Sequence, residues 1–75
     1  MKRFFKNHIG EHIMMIDNVI KETVYINDER DEIGYGKHND NFEMDMQSVY
    51  DRYNESTEEA HQAAKAAFLE KYLQQ

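Results

Sequence analysis

Residues Ser56 to Leu73, STEEAHQAAKAAFLEKYL, read as a helix by every local criterion, and the rest of the chain must supply something for that helix to pack on. Ser56 followed by Glu59 has the spacing of a capping box, in which the hydroxyl takes the Glu59 amide and the Glu59 carboxylate reaches back. Glu58 and Glu59 suit the positive end of the helix dipole, and Lys71 suits the negative end. Alanine, the best helix former, stands at 60, 63, 64, 66 and 67. At helical spacing Ala60, Ala63, Ala64 and Ala67 make a narrow face that permits close approach. Phe68, Leu69, Tyr72 and Leu73 then form a bulkier apolar end expected to lock the contact.

The 75 residues are expected to form a single domain, 1–75. A chain of this length buries only ~60% of the surface its unfolded form exposes, so its core is thin. There is no cysteine, which removes disulfides and thiolate metal sites. Continuous apolar runs such as Ile13–Ile16 are far short of the ~20 residues that cross a bilayer. The basic start MKRFFK is not followed by an apolar run of about 7–15 residues, so no secretory signal is expected and the default compartment is cytoplasmic.

Charge is unevenly distributed. The net value is −6, made of +1 over residues 1–27, −8 over 28–59 and +1 over 60–75. Phosphate binding needs clustered cations, so direct nucleic-acid binding is not expected of most of this surface. An acidic face can instead occupy a basic groove that ordinarily holds nucleic acid.

Residues 4–21 fit two periods. As a helix, Phe5, Ile9, His12, Ile13, Ile16, Val19 and Ile20 fall on one stripe, with Gly10 costing ~1 kcal/mol. As a hairpin, strands 3–7 and 11–16 would turn through Asn7–Gly10. The helix is preferred, because a strand at Ile13–Met14–Met15–Ile16 would have to bury both faces in a very small domain. From Glu22 the period becomes two. Val24 and Ile26 alternate with Thr23 and Tyr25, the charged stretch Asn27–Asp31 makes a loop, and Glu32–Lys37 forms a second strand. Gly34 and Gly36 leave one face of that strand bare, and Tyr25 is the aromatic placed to cover it. Residues 41–53 again fit two patterns. Phe42, Met46, Val49, Tyr50 and Tyr53 make a helical stripe, with Asp40 and Glu43 as a cap. Alternation of Phe42, Met44 and Met46 with Glu43 and Asp45 makes a strand. Met44 has no place on the helical stripe, so a third strand at about 41–50 is preferred, reached through a turn at His38–Asn41.

The expected fold is therefore a small two-layer α+β domain of order αβββα, a three-stranded antiparallel sheet with an N-terminal and a C-terminal helix on one face. That order, with an alanine-rich last helix, resembles the layout of a double-stranded-RNA-binding domain. The likeness is one of topology. Such a domain opens its last helix with phosphate-gripping lysines, and Thr57–Glu58–Glu59 stand there in this chain, so it implies no RNA binding.

Four patterns bear on chemistry. His8–Ile9–Gly10–Glu11–His12 fits the H-x-x-E-H arrangement of one zinc-protease class, with both histidines on one helical face and Glu11 as base. No third ligand is evident and the chain is too short to frame a cleft, so no metal site is assigned. The acidic stretches 27–32 and 39–45 lack the spacing of an EF-hand. GYGKHND at 34–40 lacks the third glycine and following helix of a phosphate loop. With only Ser48 and Ser56 as serines and no cysteine, no nucleophile stands out; neither catalytic residues nor a cofactor are assigned.

The leading expectation is a non-enzymatic protein that binds, and inhibits, another protein carrying a basic surface. Nucleic-acid-mimicking anti-defence inhibitors of bacteriophages are one such type. The residues assigned to contact are Asp28, Glu29, Asp31, Glu32, Tyr35, Asp40, Glu43, Asp45, Tyr50 and Asp51, with Glu43 and Asp45 expected to project together from one strand. Tyr53 and Tyr72 add to the aromatic content of such a surface. The alternative is a structural or regulatory homodimer with a self-complementary apolar surface. A third reading, nucleic-acid binding through Lys2, Arg3 and Lys6, offers too few charges to hold phosphate firmly.

Overall fold

The computed structural model describes residues 1–39 and 41–74. Five strands form one antiparallel sheet in the order β4-β3-β2-β1-β5: β1 (Lys2–Lys6), β2 (Glu11–Ile16), β3 (Val19–Asn27), β4 (Glu32–Lys37) and β5 (Asn54–Glu55). A short helix α1 (Met46–Arg52) and a long helix α2 (Glu58–Leu73) complete the chain. The coarse α+β class stands. The αβββα order does not, and the likeness to the RNA-binding layout falls with it.

The stretch 4–21 is a hairpin, not a helix. Lys2–Lys6 pairs with His12–Ile16 from Lys2↔Ile16 to Lys6↔His12. The turn between them is built by Asn7, whose Oδ1 accepts from the amides of Ile9 and Glu11, and by Gly10 at φ 100°. A second hairpin follows at once. Asp17 and Asn18 both take positive φ, 51° and 65°, as a two-residue turn between right-twisted strands requires. A bulge between Met14 and Met15 then shifts the register with β3.

β2 lies at the centre of the sheet with one face buried, at Ile13 and Met15, and the other half-buried, at His12, Met14 and Ile16, because the two helices cover opposite sides. On one side Phe5, Ile13 and Met15 pack against Val49 of α1, with Ile20, Met46 and Tyr53 around them. On the other side α2 covers β3: Val24 is fully buried, as are Ala64 and His61 of the helix. The expectation that both helices share a face is corrected accordingly.

The region 41–50 is not a strand. Residues 41–45 form an irregular approach and α1 follows, opened by Asp45, whose side chain accepts from the Gln47 amide at 3.1 Å. Met46, Val49 and Tyr53 lie inward on the helical period; Met44 has no place on that stripe because it precedes the helix. The long helix is as expected in extent, but its cap is Thr57, whose Oγ1 accepts from Ala60. Ser56 instead donates its backbone N–H to Phe4 O at 2.8 Å, extending the β5 contact with β1. Its buried stripe is also rotated. His61 and Ala64 are buried and Ala63 is exposed, as are Leu69, Tyr72 and Leu73, leaving Phe68 as the inward aromatic. Among the described residues no helix is long and apolar enough to cross a membrane.

Candidate functional site

The acids assigned to contact fall into two groups at opposite ends of the sheet. β3 runs for nine residues between them, roughly 30 Å at the rise of an extended strand. At one end Asp28, Glu29, Asp31 and Glu32 surround the β3–β4 turn. Two of these are already engaged: Asp28 pairs with Lys71 of α2, and Glu32 accepts from the Tyr25 hydroxyl at 2.9 Å and lies 3.2 Å from Arg30 Nε. Asp31 holds the turn at φ 53°. Asp40 lies outside the described residues.

Glu43, Asp45, Tyr50 and Asp51 lie at or beyond the other end, on the side of the sheet covered by α1. The anchor is a 2.6 Å hydrogen bond from the Met44 amide to Asn18 O, which ties the approach segment to the β2–β3 turn. Glu43 shares a shallow depression with Asp17, Arg3 and Met46. Asp51 accepts from Gln47 across one helical turn at 3.0 Å. The Tyr50 hydroxyl takes a hydrogen bond from Arg3, which also reaches Glu55 at 3.0 Å. Among the described residues no cation pairs with Glu43, Asp45 or Asp51. The segment also shows apolar side chains to solvent: Phe42 is 79% exposed, and Met44 and Tyr50 are exposed as well. The result is a set of exposed aromatic and thioether groups interleaved with carboxylates that no described cation neutralises.

Tyr35 belongs to a third environment. Its hydroxyl donates to Glu22 Oε2 at 2.7 Å, and Lys65 donates to the same oxygen at 3.2 Å. His61 Nε2 lies 2.7 Å from Glu22 Oε1. Burial pushes the Glu22 carboxyl toward its neutral form, but the hydrogen bonds from Tyr35, His61 and Lys65 outweigh it and hold the group down to about 2. The same bond from Tyr35 to the carboxylate, helped by burial, pushes the phenol up to about 12. Glu22 is 5% and His61 1% exposed, so no substrate atom reaches the pair. The network fastens α2 to the sheet. It was missed at the sequence level, although Glu22 stands in phase with Val24 and Ile26 on the inward period of its strand.

The H-x-x-E-H pattern is dispersed by the hairpin. His8 is exposed in the turn, while Glu11 and His12 are successive strand residues and point to opposite faces. Glu11 accepts from Tyr53 and Asn7 on the α1 side, both at 3.2 Å. His12 lies beside Val24 under α2, where burial first, then His61 and Lys6, disfavour its charged form. Among the described residues no group of three metal-ligating side chains converges. The basic start is divided too, with Arg3 on the α1 side and its neighbours Lys2 and Phe4 directed to the other.

Compared with protein families, curated proteins and solved structures, the chain matches none of them.

Proposed function

We propose that this chain is a non-enzymatic binding protein whose α1 side, residues 42–51, docks on a basic surface of another protein and blocks it. The observation that carries this reading is the exposure of Phe42 among uncompensated carboxylates. A side chain of that size left 79% exposed forgoes about 2 kcal/mol of burial, which a partner surface would recover. Glu43 and Asp45 close to it in the chain, with Asp51 further along α1, steer toward cations and disfavour acidic competitors. An inhibitor occupying a nucleic-acid-binding groove is the form that the charge best suits.

Affinity chromatography on the immobilised chain, followed by titration of the captured protein, tests this. Binding should weaken as salt rises from low to about 0.5 M, where the Debye length falls to roughly 4 Å, and Phe42→Ser should weaken it at every salt concentration. Binding that ignores both salt and Phe42→Ser would overturn the reading.

A further inference from the structure

We infer that β4 is a homodimer edge, joined antiparallel to the β4 of a second copy about a two-fold axis through Tyr35. This surface is separate from the one proposed above and does not depend on it.

β4 is the last strand of the sheet, so one side of its backbone has no strand partner among the described residues. The His38 amide donates inward to Lys21 O at 2.9 Å. Peptide groups alternate along a strand, so those of Ile33, Tyr35 and Lys37 point outward. The sequence Ile33-Gly34-Tyr35-Gly36-Lys37 is nearly symmetric about its centre. A two-fold through Tyr35 opposes Tyr35 to Tyr35, Gly34 to Gly36 and Ile33 to Lys37, and every outward peptide group meets one from the other copy. The two glycines oppose each other on the α1 side, so neither strand sets a side chain of its own against the other there, and Tyr25 and His38 lie over the glycines at ordinary contact distance. The Asp31–Glu32 end of one strand lies beside the Lys37–His38 end of the other, so the charges at the two ends are complementary.

The α2 side supplies the apolar contact. Phe68 stacks between Tyr35 and Tyr72 with ring centroids 5.6 and 5.8 Å away. Beside this stack a cleft of about 170 Å³ is lined by Tyr35, Lys65, Phe68 and Leu69. Leu69 is 53% and Tyr72 58% exposed although both flank the sheet edge. The two-fold turns the two clefts toward each other and gives these side chains a cover. The chain's accessible surface is 5416 Å² at 9.0 kDa, about a tenth above the ~4,900 Å² usual for a folded monomer of that mass. An isologous interface built on one self-complementary patch is the commonest way a small chain closes such a surface.

Sedimentation velocity with amide hydrogen exchange on the intact chain tests the inference. The expected result at high concentration is a particle of about twice 9.0 kDa, with the Ile33, Tyr35 and Lys37 amides exchanging more than ~tenfold slower than in dilute solution. Leu69→Lys, which places cations on the exposed helix face, should give a monomer with unprotected β4 amides. If that variant fails to fold by circular dichroism, Lys37→Pro serves instead, since it removes only an outward N–H. A monomer at every concentration overturns the inference. So does a dimer whose three amides exchange freely, or one that persists in the folded variant.

Discussion

His61 Nε2 and Glu22 Oε1 lie 2.7 Å apart, although the two residues are 39 positions apart in the chain. The bond joins the middle of β3 to the first turns of α2, and both side chains are almost wholly removed from water. Tyr35 and Lys65 complete the coordination of the carboxylate from β4 and from the next turn of the helix. The contact between α2 and the sheet thus has a polar centre, with Val24 and Ala64 packed around it.

Removing one member of that centre should be costly. His61→Ala leaves a buried carboxylate without one of its donors and opens a void beside Phe4, whose ring lies 5.4 Å from the imidazole. The expected loss is about 3 kcal/mol in urea denaturation. A loss below about 1 kcal/mol would show that water replaces the imidazole without penalty.

Stability should fall in strong acid through Glu22. Its carboxyl is held at about 2 in the folded chain against an ordinary 4.5. A depressed folded value contributes stability that is fully present above the unfolded value and lost as pH falls from about 4.5 through about 2. The contribution is on the order of 3 kcal/mol. Denaturation at successive pH values should show this slope, and Glu22→Gln should flatten it. An unchanged slope in the variant would place the acid sensitivity elsewhere.

Gly10 and Gly34 should respond oppositely to alanine. Gly10 has φ 100°, and a Cβ there would fall 1.8 Å from Ile26 O, which is backbone and cannot yield. Gly10→Ala should therefore cost well over the ~1 kcal/mol of the dihedral alone, breaking the hydrogen bond by which Ile26 N meets Gly10 O. At Gly34 the nearest atom is Tyr25 Cβ at 3.7 Å, an ordinary contact. Gly34→Ala should be neutral or stabilising by about 0.5 kcal/mol. Equal melting temperatures for the two variants would contradict the turn geometry.

Charge reversal separates the two ends of the molecule. Asp45 caps α1, so replacing it would cost about 1 kcal/mol of helix stability and confuse the result. Glu43→Lys with Asp51→Lys avoids the cap and should weaken partner binding at least tenfold, about 1.4 kcal/mol. Glu29→Lys, in the turn at the far end of β3, should leave binding unchanged. The reverse pattern would move the contact to that turn.

Local chemistry was legible where one element could be read without its neighbours. α2 carries its own propensity and dipole charges, and 22–27 and 32–37 carry a period of two. Tyr25 covers Gly34 as their places on paired strands imply, with Cδ2 3.9 Å from where a Cβ would stand. Even in α2 the fine detail depended on context. Ser56 was drawn into pairing with β1, so the cap moved to Thr57, and the buried stripe turned to include His61.

By itself the sequence determined the long helix, the paired strands β3 and β4 and the concentration of acid between 28 and 59. Tertiary structure decided the two stretches whose residues fit both periods. Ile13–Met14–Met15–Ile16 is tenable as a strand only if both sheet faces are covered, and the cover on one of them is α1, formed by residues that also alternate. Neither choice is fixed locally: each is stabilised by burying apolar groups against the other. The same coupling divided the acids between two ends of the sheet and placed Glu22 beneath α2, since charge order along a chain carries no information about which strands become neighbours.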